Sequence, residues 1–150
     1  MKAISKITEF GHLVRFSHSL FAMPFAIGSM WVAANGFRGM TSVSIFKLVV
    51  LIVGCMVTAR NSSMSFNRLV DAKYDAENPR TAERHLPAGK IRKKSVIGFI
   101  AINGILFCAF AWMLNPLAGV CSAPVWLALL FYSYWKRFSW LCHWYLGFAI

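Results

Sequence analysis

The chain has 150 residues, 58% of them hydrophobic and only 14% charged, whereas an ordinary soluble domain is about a quarter charged. Sixteen Lys and Arg against five Asp and Glu give a formal net charge of +11. The basic residues lie between apolar runs, where anionic lipid head groups or anionic substrates meet them, so the charge argues for a bilayer and against a nucleic-acid partner.

The first apolar run covers 13–35. Lys2 and Lys6 precede it, as in a signal peptide, but the run is too long for a signal core, contains Pro24 and is followed by further spans. It reads as a retained helix. Asn35-Gly36 and Gly39 end it, and a second span follows over 43–66, continuing as helix to about Asp75. The third and fourth spans cover 95–114 and 117–135, joined by the tight turn Asn115-Pro116. A last apolar stretch, 139–150, is too short to cross a hydrocarbon core that needs about 20 helical residues. The expectation is an all-α, multi-span transmembrane helix bundle: one membrane domain of four spans and a partial fifth, with the look of a chain cut short.

Cys55, Cys108, Cys121 and Cys142 are scattered singly, with no Cys-x-x-Cys pair to clamp zinc or form a redox couple, and read as small packing residues.

The stretch from Arg68 to Lys94 holds eight of the sixteen basic and four of the five acidic residues, so it cannot lie in hydrocarbon. The amino terminus, this stretch and Lys136-Arg137 are basic, while the connections at 35–43 and 115–117 contain only Arg38. The positive-inside rule therefore places the amino terminus and the loop 76–94 in the cytoplasm; the expected location is the inner cell membrane. Arg92, Lys93 and Lys94 read as anchors of this kind.

Asn67, Asp71 and Asp75 stand at i, i+4 and i+8. On a helix they form a slightly slanted row with about 6 Å per step, all facing one way. An amide oxygen and two carboxylates are hard ligands suited to Mg²⁺, which keeps several waters and bridges protein oxygens to substrate phosphates. The plainer reading makes Asp71 and Asp75 solvated carboxylates paired with Arg68 or Lys73. Their position at the end of a membrane helix favours the first reading, because ionisable groups there face a cavity or a ligand. The following segment offers Arg80, Thr81, Arg84 and Lys90 as guanidinium, hydroxyl and ammonium donors for a diphosphate, Arg as a bidentate fork and Lys as a point charge.

The ordered string Asn67-x-x-x-Asp71-x-x-x-Asp75, then Asn78-Pro-Arg-Thr, Arg84 and Leu86-Pro-x-Gly, resembles the first aspartate-rich motif of the UbiA superfamily of membrane prenyltransferases. Two flanking stretches also resemble that family: Arg15-x-x-His18-x-Leu-Phe-Ala-x-Pro24-Phe-Ala, and Tyr132-Ser-Tyr134-x-Lys136-Arg137-Phe. The resemblance implies the amino-terminal half of a roughly nine-helix fold, whose latter half carries a second aspartate motif. No aspartate follows Asp75 here.

It further implies transfer of a polyprenyl group from a polyprenyl diphosphate to an aromatic acceptor, such as 4-hydroxybenzoate or a naphthoate, in ubiquinone or menaquinone synthesis. In that reaction Mg²⁺ on Asn67, Asp71 and Asp75, with the cations Arg80, Arg84 and Lys136, would stabilise the leaving diphosphate. Asp71, Asp75, Arg80 and Lys136 are then the catalytic candidates. Arg15, His18, Arg68, Arg80, Thr81, Arg84, Tyr132, Lys136 and Arg137 are the substrate-binding candidates. Tyr132 and Lys136 share a helix face. Phe66, Tyr74, Tyr132 and Tyr134 are candidates to line the allylic cation's path, or ordinary membrane aromatics. Arg15 meets an acceptor carboxylate or snorkels to the surface.

With only one motif, the chain is expected to be inactive alone: a split-enzyme subunit completed by a second polypeptide, or an inactive fragment. A small membrane ion transporter and a membrane diphosphatase are the rival readings.

Overall fold

A computed structural model describes residues 19–135. Four α-helices make up most of it: α1 (Ser19–Ala33), α2 (Ser42–Glu77), α3 (Lys93–Leu114) and α4 (Pro116–Trp135). Helices α2, α3 and α4 are each long and apolar enough to cross a membrane. The remainder of the expected first span and the partial fifth fall outside the described residues.

Local chemistry sets the helix boundaries. The turn between α1 and α2 passes through left-handed backbone at Asn35, Gly36 and Phe37, with φ of 50°, 65° and 61°. Gly36 favours that region and Asn35 tolerates it, whereas Phe37 resists it, and the edge-on contact of Phe37 with Trp31, centroids 5.0 Å apart, holds the turn closed. Thr41 caps α2, its Oγ1 accepting from the Ser44 N–H at 3.3 Å. Asn115 serves two helices: its N–H donates to the Ala111 carbonyl of α3, and its Oδ1 accepts from the Ala118 N–H of α4 at 2.8 Å. Pro116, whose missing N–H costs nothing in a first turn, completes this start signal. Asn115→Ala is therefore expected to cost about 1 kcal/mol, visible as a lower thermal midpoint in detergent.

The contacts Ser62–Ile100 and Cys55–Phe107 run α3 antiparallel to α2, and the tight turn at Asn115 reverses α4 again, so α2 and α4 end on the same side of the bundle. Helix α3 packs chiefly on α2, with α4 against both and α1 against α2. The seams use small and polar side chains. Ser62 donates to the Ile100 carbonyl at 3.0 Å, Ser63 to the Leu129 carbonyl at 3.4 Å, and the Asn61 amide to Asn103 Oδ1 at 3.3 Å. Ser62, Ser65 and Ser133 are wholly inaccessible. Such residues let backbones approach closely where lipid gives no hydrophobic drive for association. Outward-facing Ile97, Ile102, Ile105, Val120 and Leu127 are exposed, as lipid-facing side chains are.

At about 1.5 Å per residue, the 36 residues of α2 extend some 54 Å, well beyond a hydrocarbon core of about 30 Å. The Ser62–Ile100 contact fixes the register with α3. Counting back along the antiparallel partner sets Lys93 about level with Leu69, so Asp71 and Asp75 stand beyond the point where α3 begins.

Candidate functional site

The outer end of α2 carries the acidic row. From Cys55 to Glu77 the helix has neither Gly nor Pro, and it runs unbroken, so Asn67, Asp71 and Asp75 share one stripe. Asn67 and Asp71 are half-buried and Asp75 is buried. Two carboxylates one turn apart at a helix C-terminus repel each other and oppose the macrodipole, so the row calls for cations.

Arg84 provides one. Its Nη1 lies 2.7 Å from Asp75 Oδ1 and 2.9 Å from Oδ2, straddling both oxygens. The sequence offers Arg68 and Lys73 as neighbours for the row, yet the ion pair on Asp75 comes from nine residues further on. The loop's path explains this. Asn78 ends α2 and its Oδ1 accepts from the Arg80 N–H at 3.0 Å, starting a turn. Thr81 is buried, and its hydroxyl donates to the Asp75 carbonyl at 3.0 Å, closing the helix end. The Arg84 N–H then donates to the Thr81 carbonyl, and Gly89, at φ 69°, turns the chain toward α3. Leu86 and Ile91 anchor the loop by packing with Ala72, Val96 and Ile100 in the buried cluster beneath it. Lys93 and Lys94, expected in the loop, form the first turn of α3.

Among the other candidates, Arg80 is exposed on the turn after α2, Arg68 is half-buried on α2, and Tyr132 is half-buried on α4. Tyr134 of α4 meets Phe66 of α2 edge-on, centroids 5.7 Å apart. Phe66, Leu127, Ala128, Leu130, Phe131 and Tyr134 line an open, almost wholly apolar groove of about 490 Å³. The Ser63–Leu129 contact sets Leu127 to Tyr134 about level with residues 61–68 of α2, so the groove lies on the membrane side of the two carboxylates and reaches the level of Asn67. Tyr74 is exposed and takes no part in the groove. Arg15, His18, Lys136 and Arg137 lie outside the described residues.

Arg60 is not among the residues that the motif picks out, yet the sequence carries a signal for it. It is the one charge between Lys47 and Asn67, and seven residues before Asn67 place it on the same stripe, about 10 Å deeper. It is half-buried, and its Nε is shielded from solvent without a hydrogen-bond partner. A guanidinium at that depth in a membrane helix is a functional-site candidate by default.

Among the described residues, no three His, Cys, Asp or Glu side chains converge to cage a metal. The hard oxygens of Asn67, Asp71 and Asp75 still suit Mg²⁺, an ion that is held by one or two carboxylates and completes its shell with water and phosphate.

The architecture is thus that of a membrane helix bundle with a polar, charged end and an apolar groove on its membrane side. The model of the UbiA prenyltransferase family matches residues 21–150. The chain belongs to this family, and it is a multi-pass membrane protein. A 4-hydroxybenzoate octaprenyltransferase of Vibrio campbellii is 28% identical over 96% of the chain and 50% of its own length. A protoheme IX farnesyltransferase of Synechocystis is 30% identical over 73% of the chain and 33% of its own length. The solved apo structure of a UbiA homolog from Aeropyrum pernix superposes with a TM-score of 0.73 at 30% identity, covering 89% of this chain and 46% of that one. The chain spans about half the length of the curated relatives it matches most fully.

Proposed function

We propose that this chain contributes the diphosphate-binding half of a prenyltransferase site that moves a polyprenyl group from its diphosphate to an aromatic acceptor, with 4-hydroxybenzoate the favoured acceptor. The observation that carries this reading is the outer end of α2, where carboxylates, a guanidinium and an apolar groove occur together. A polyprenyl diphosphate needs all three: hard oxygens for the metal that accompanies it, cationic donors for its oxygens, and apolar surface for its tail. Relatives named as 4-hydroxybenzoate octaprenyltransferases support the acceptor, and ubiquinone-type quinone synthesis with it.

Asn67, Asp71 and Asp75 would hold Mg²⁺, which when bound supplies positive charge for the departing diphosphate. Arg80 and Arg84 pair with its oxygens, and Lys136 is assigned the same task. Phe66 and Tyr134 offer aromatic faces to the allylic cation as the C–O bond opens. The Arg60 guanidinium, deeper on the same stripe, suits the carboxylate of an aromatic acid. The basic outer end lies in the cytoplasm by the positive-inside rule, in the inner cell membrane. Carboxylates beyond this single row, supplied by further polypeptide, complete the site.

Product formation tests the reading. The 150-residue chain in nanodiscs, given Mg²⁺, a polyprenyl diphosphate and 4-hydroxybenzoate, is expected to yield no prenylated acid. Co-assembly with the carboxy-terminal half of an octaprenyltransferase relative is expected to restore it. Absence of product from the co-assembly, or product that survives Asp71→Ala, would sink the proposal.

A further inference from the structure

We infer that Arg84 and a divalent cation compete for the Asp75 carboxylate, so that entry of the metal hands the Arg84 guanidinium over to the substrate's diphosphate. This rests on the metal–diphosphate reading above and deepens it, giving Arg84 a positioning role on the acidic row as well as contact with substrate.

The geometry carries the argument. A single nitrogen, Arg84 Nη1, sits 2.7 Å and 2.9 Å from the two oxygens of Asp75, occupying the face between them from which a cation approaches. The Asp75 side chain is only 11% exposed, so the rest of the carboxylate is turned into the protein. Mg²⁺ demands oxygens at about 2.0–2.1 Å, and a guanidinium left on the same oxygens would face it as a like charge at close range. The two cations therefore exclude each other.

Arg84 is also built to leave. Its side chain is 33% exposed, whereas its backbone is fastened on both sides: its N–H donates to the Thr81 carbonyl at 3.0 Å, and its carbonyl accepts from the Ala88 N–H at 2.9 Å. Leu86 and Ile91 keep the loop seated on the buried cluster. The side chain can thus swing about a fixed backbone while the loop stays in place. Once the metal neutralises the carboxylate, the released guanidinium lies on a loop that already presents the exposed cations Arg80 and Lys90. A diphosphate, which offers several charge-assisted acceptors, is the anion this arrangement gathers. Ordered entry follows, with metal and diphosphate each favouring the other.

Calorimetric titration of Mn²⁺ into the 150-residue chain in nanodiscs, without diphosphate, tests the competition. Arg84→Gln is expected to tighten Mn²⁺ binding about tenfold, and to weaken binding of inorganic diphosphate in the presence of Mg²⁺ about as much. Arg84→Lys keeps a charge that cannot straddle both oxygens and is expected to tighten Mn²⁺ about threefold, which carries the test if the glutamine variant fails to fold. Mn²⁺ affinity that is unchanged or weaker in the folded variant overturns the inference. A purely structural Arg84 would lower the thermal midpoint and leave Mn²⁺ affinity unmoved. Asp71→Asn separates the two readings. If the parent chain binds Mn²⁺ and Asp71→Asn does not, yet the Arg84 variants show no tightening, only the competition falls. If neither the parent chain nor any variant binds Mn²⁺, the metal site falls and the competition with it.

Discussion

Asp71→Asn is expected to weaken Mg²⁺-dependent binding of a polyprenyl diphosphate by on the order of a hundredfold, equivalent to about 2.7 kcal/mol. The substitution keeps the volume and one oxygen but removes the charge at the centre of the row. Asp71 lies one helical turn from both Asn67 and Asp75, so a cation shared along the row loses its middle ligand, and the two remaining residues stand about 12 Å apart along the helix axis. Because Asp71 is only half-buried and sits beyond the point where α3 begins, the fold should survive. Helical circular dichroism and the thermal midpoint are expected to stay close to those of the parent chain. Diphosphate binding that persists undiminished in Asp71→Asn would show that the acidic row does not hold the metal. Binding lost together with helicity would show that Asp71 is needed for the fold instead.

The largest effect on the bundle is expected from Gly104→Leu. A Cβ built at Gly104 would lie 2.5 Å from the Trp126 indole, closer than real side chains come, and the rigid ring cannot fold away. Trp126 in turn packs on the cluster of Ala72, Leu86, Ile91, Val96 and Ile100 that seats the loop. Leucine at 104 therefore forces α3 and α4 apart and disturbs the floor beneath Arg84. Overpacking of this kind costs about 1–3 kcal/mol, and a fall in thermal midpoint with loss of diphosphate binding is the expected result. Trp126→Leu in the same chain should recover part of the loss, since the two positions share one contact. A double variant no more stable than Gly104→Leu alone would place the damage elsewhere.

The positions of these two sites show how far local pattern reaches. Apolar runs bounded by Asn35-Gly36, the charged stretch from Arg68 and Asn115-Pro116 were enough to read an all-helical membrane chain, because a bilayer satisfies backbone groups only within regular elements. The shared face of Asn67, Asp71 and Asp75 was equally legible, since helical periodicity alone sets it. Family membership was readable too, from an ordered string of residues that composition could not imitate.

Other features required the folded chain. Four cations lie within reach of Asp75 in sequence, and nothing local says that Arg84 takes it. The choice depends on the loop's route, fixed by the Thr81 contact to the end of α2 and by the burial of Leu86 and Ile91 against α3. The groove joins Phe66 to residues more than sixty positions later, and the tolerance for Gly104 alone depends on a tryptophan from the next helix. The sequence by itself determined which segments are helices and which side chains share a helix face, because both follow from interactions within a few residues. Only the tertiary structure decided which charge meets which and where apolar surface stays open, because those outcomes depend on the packing of distant segments.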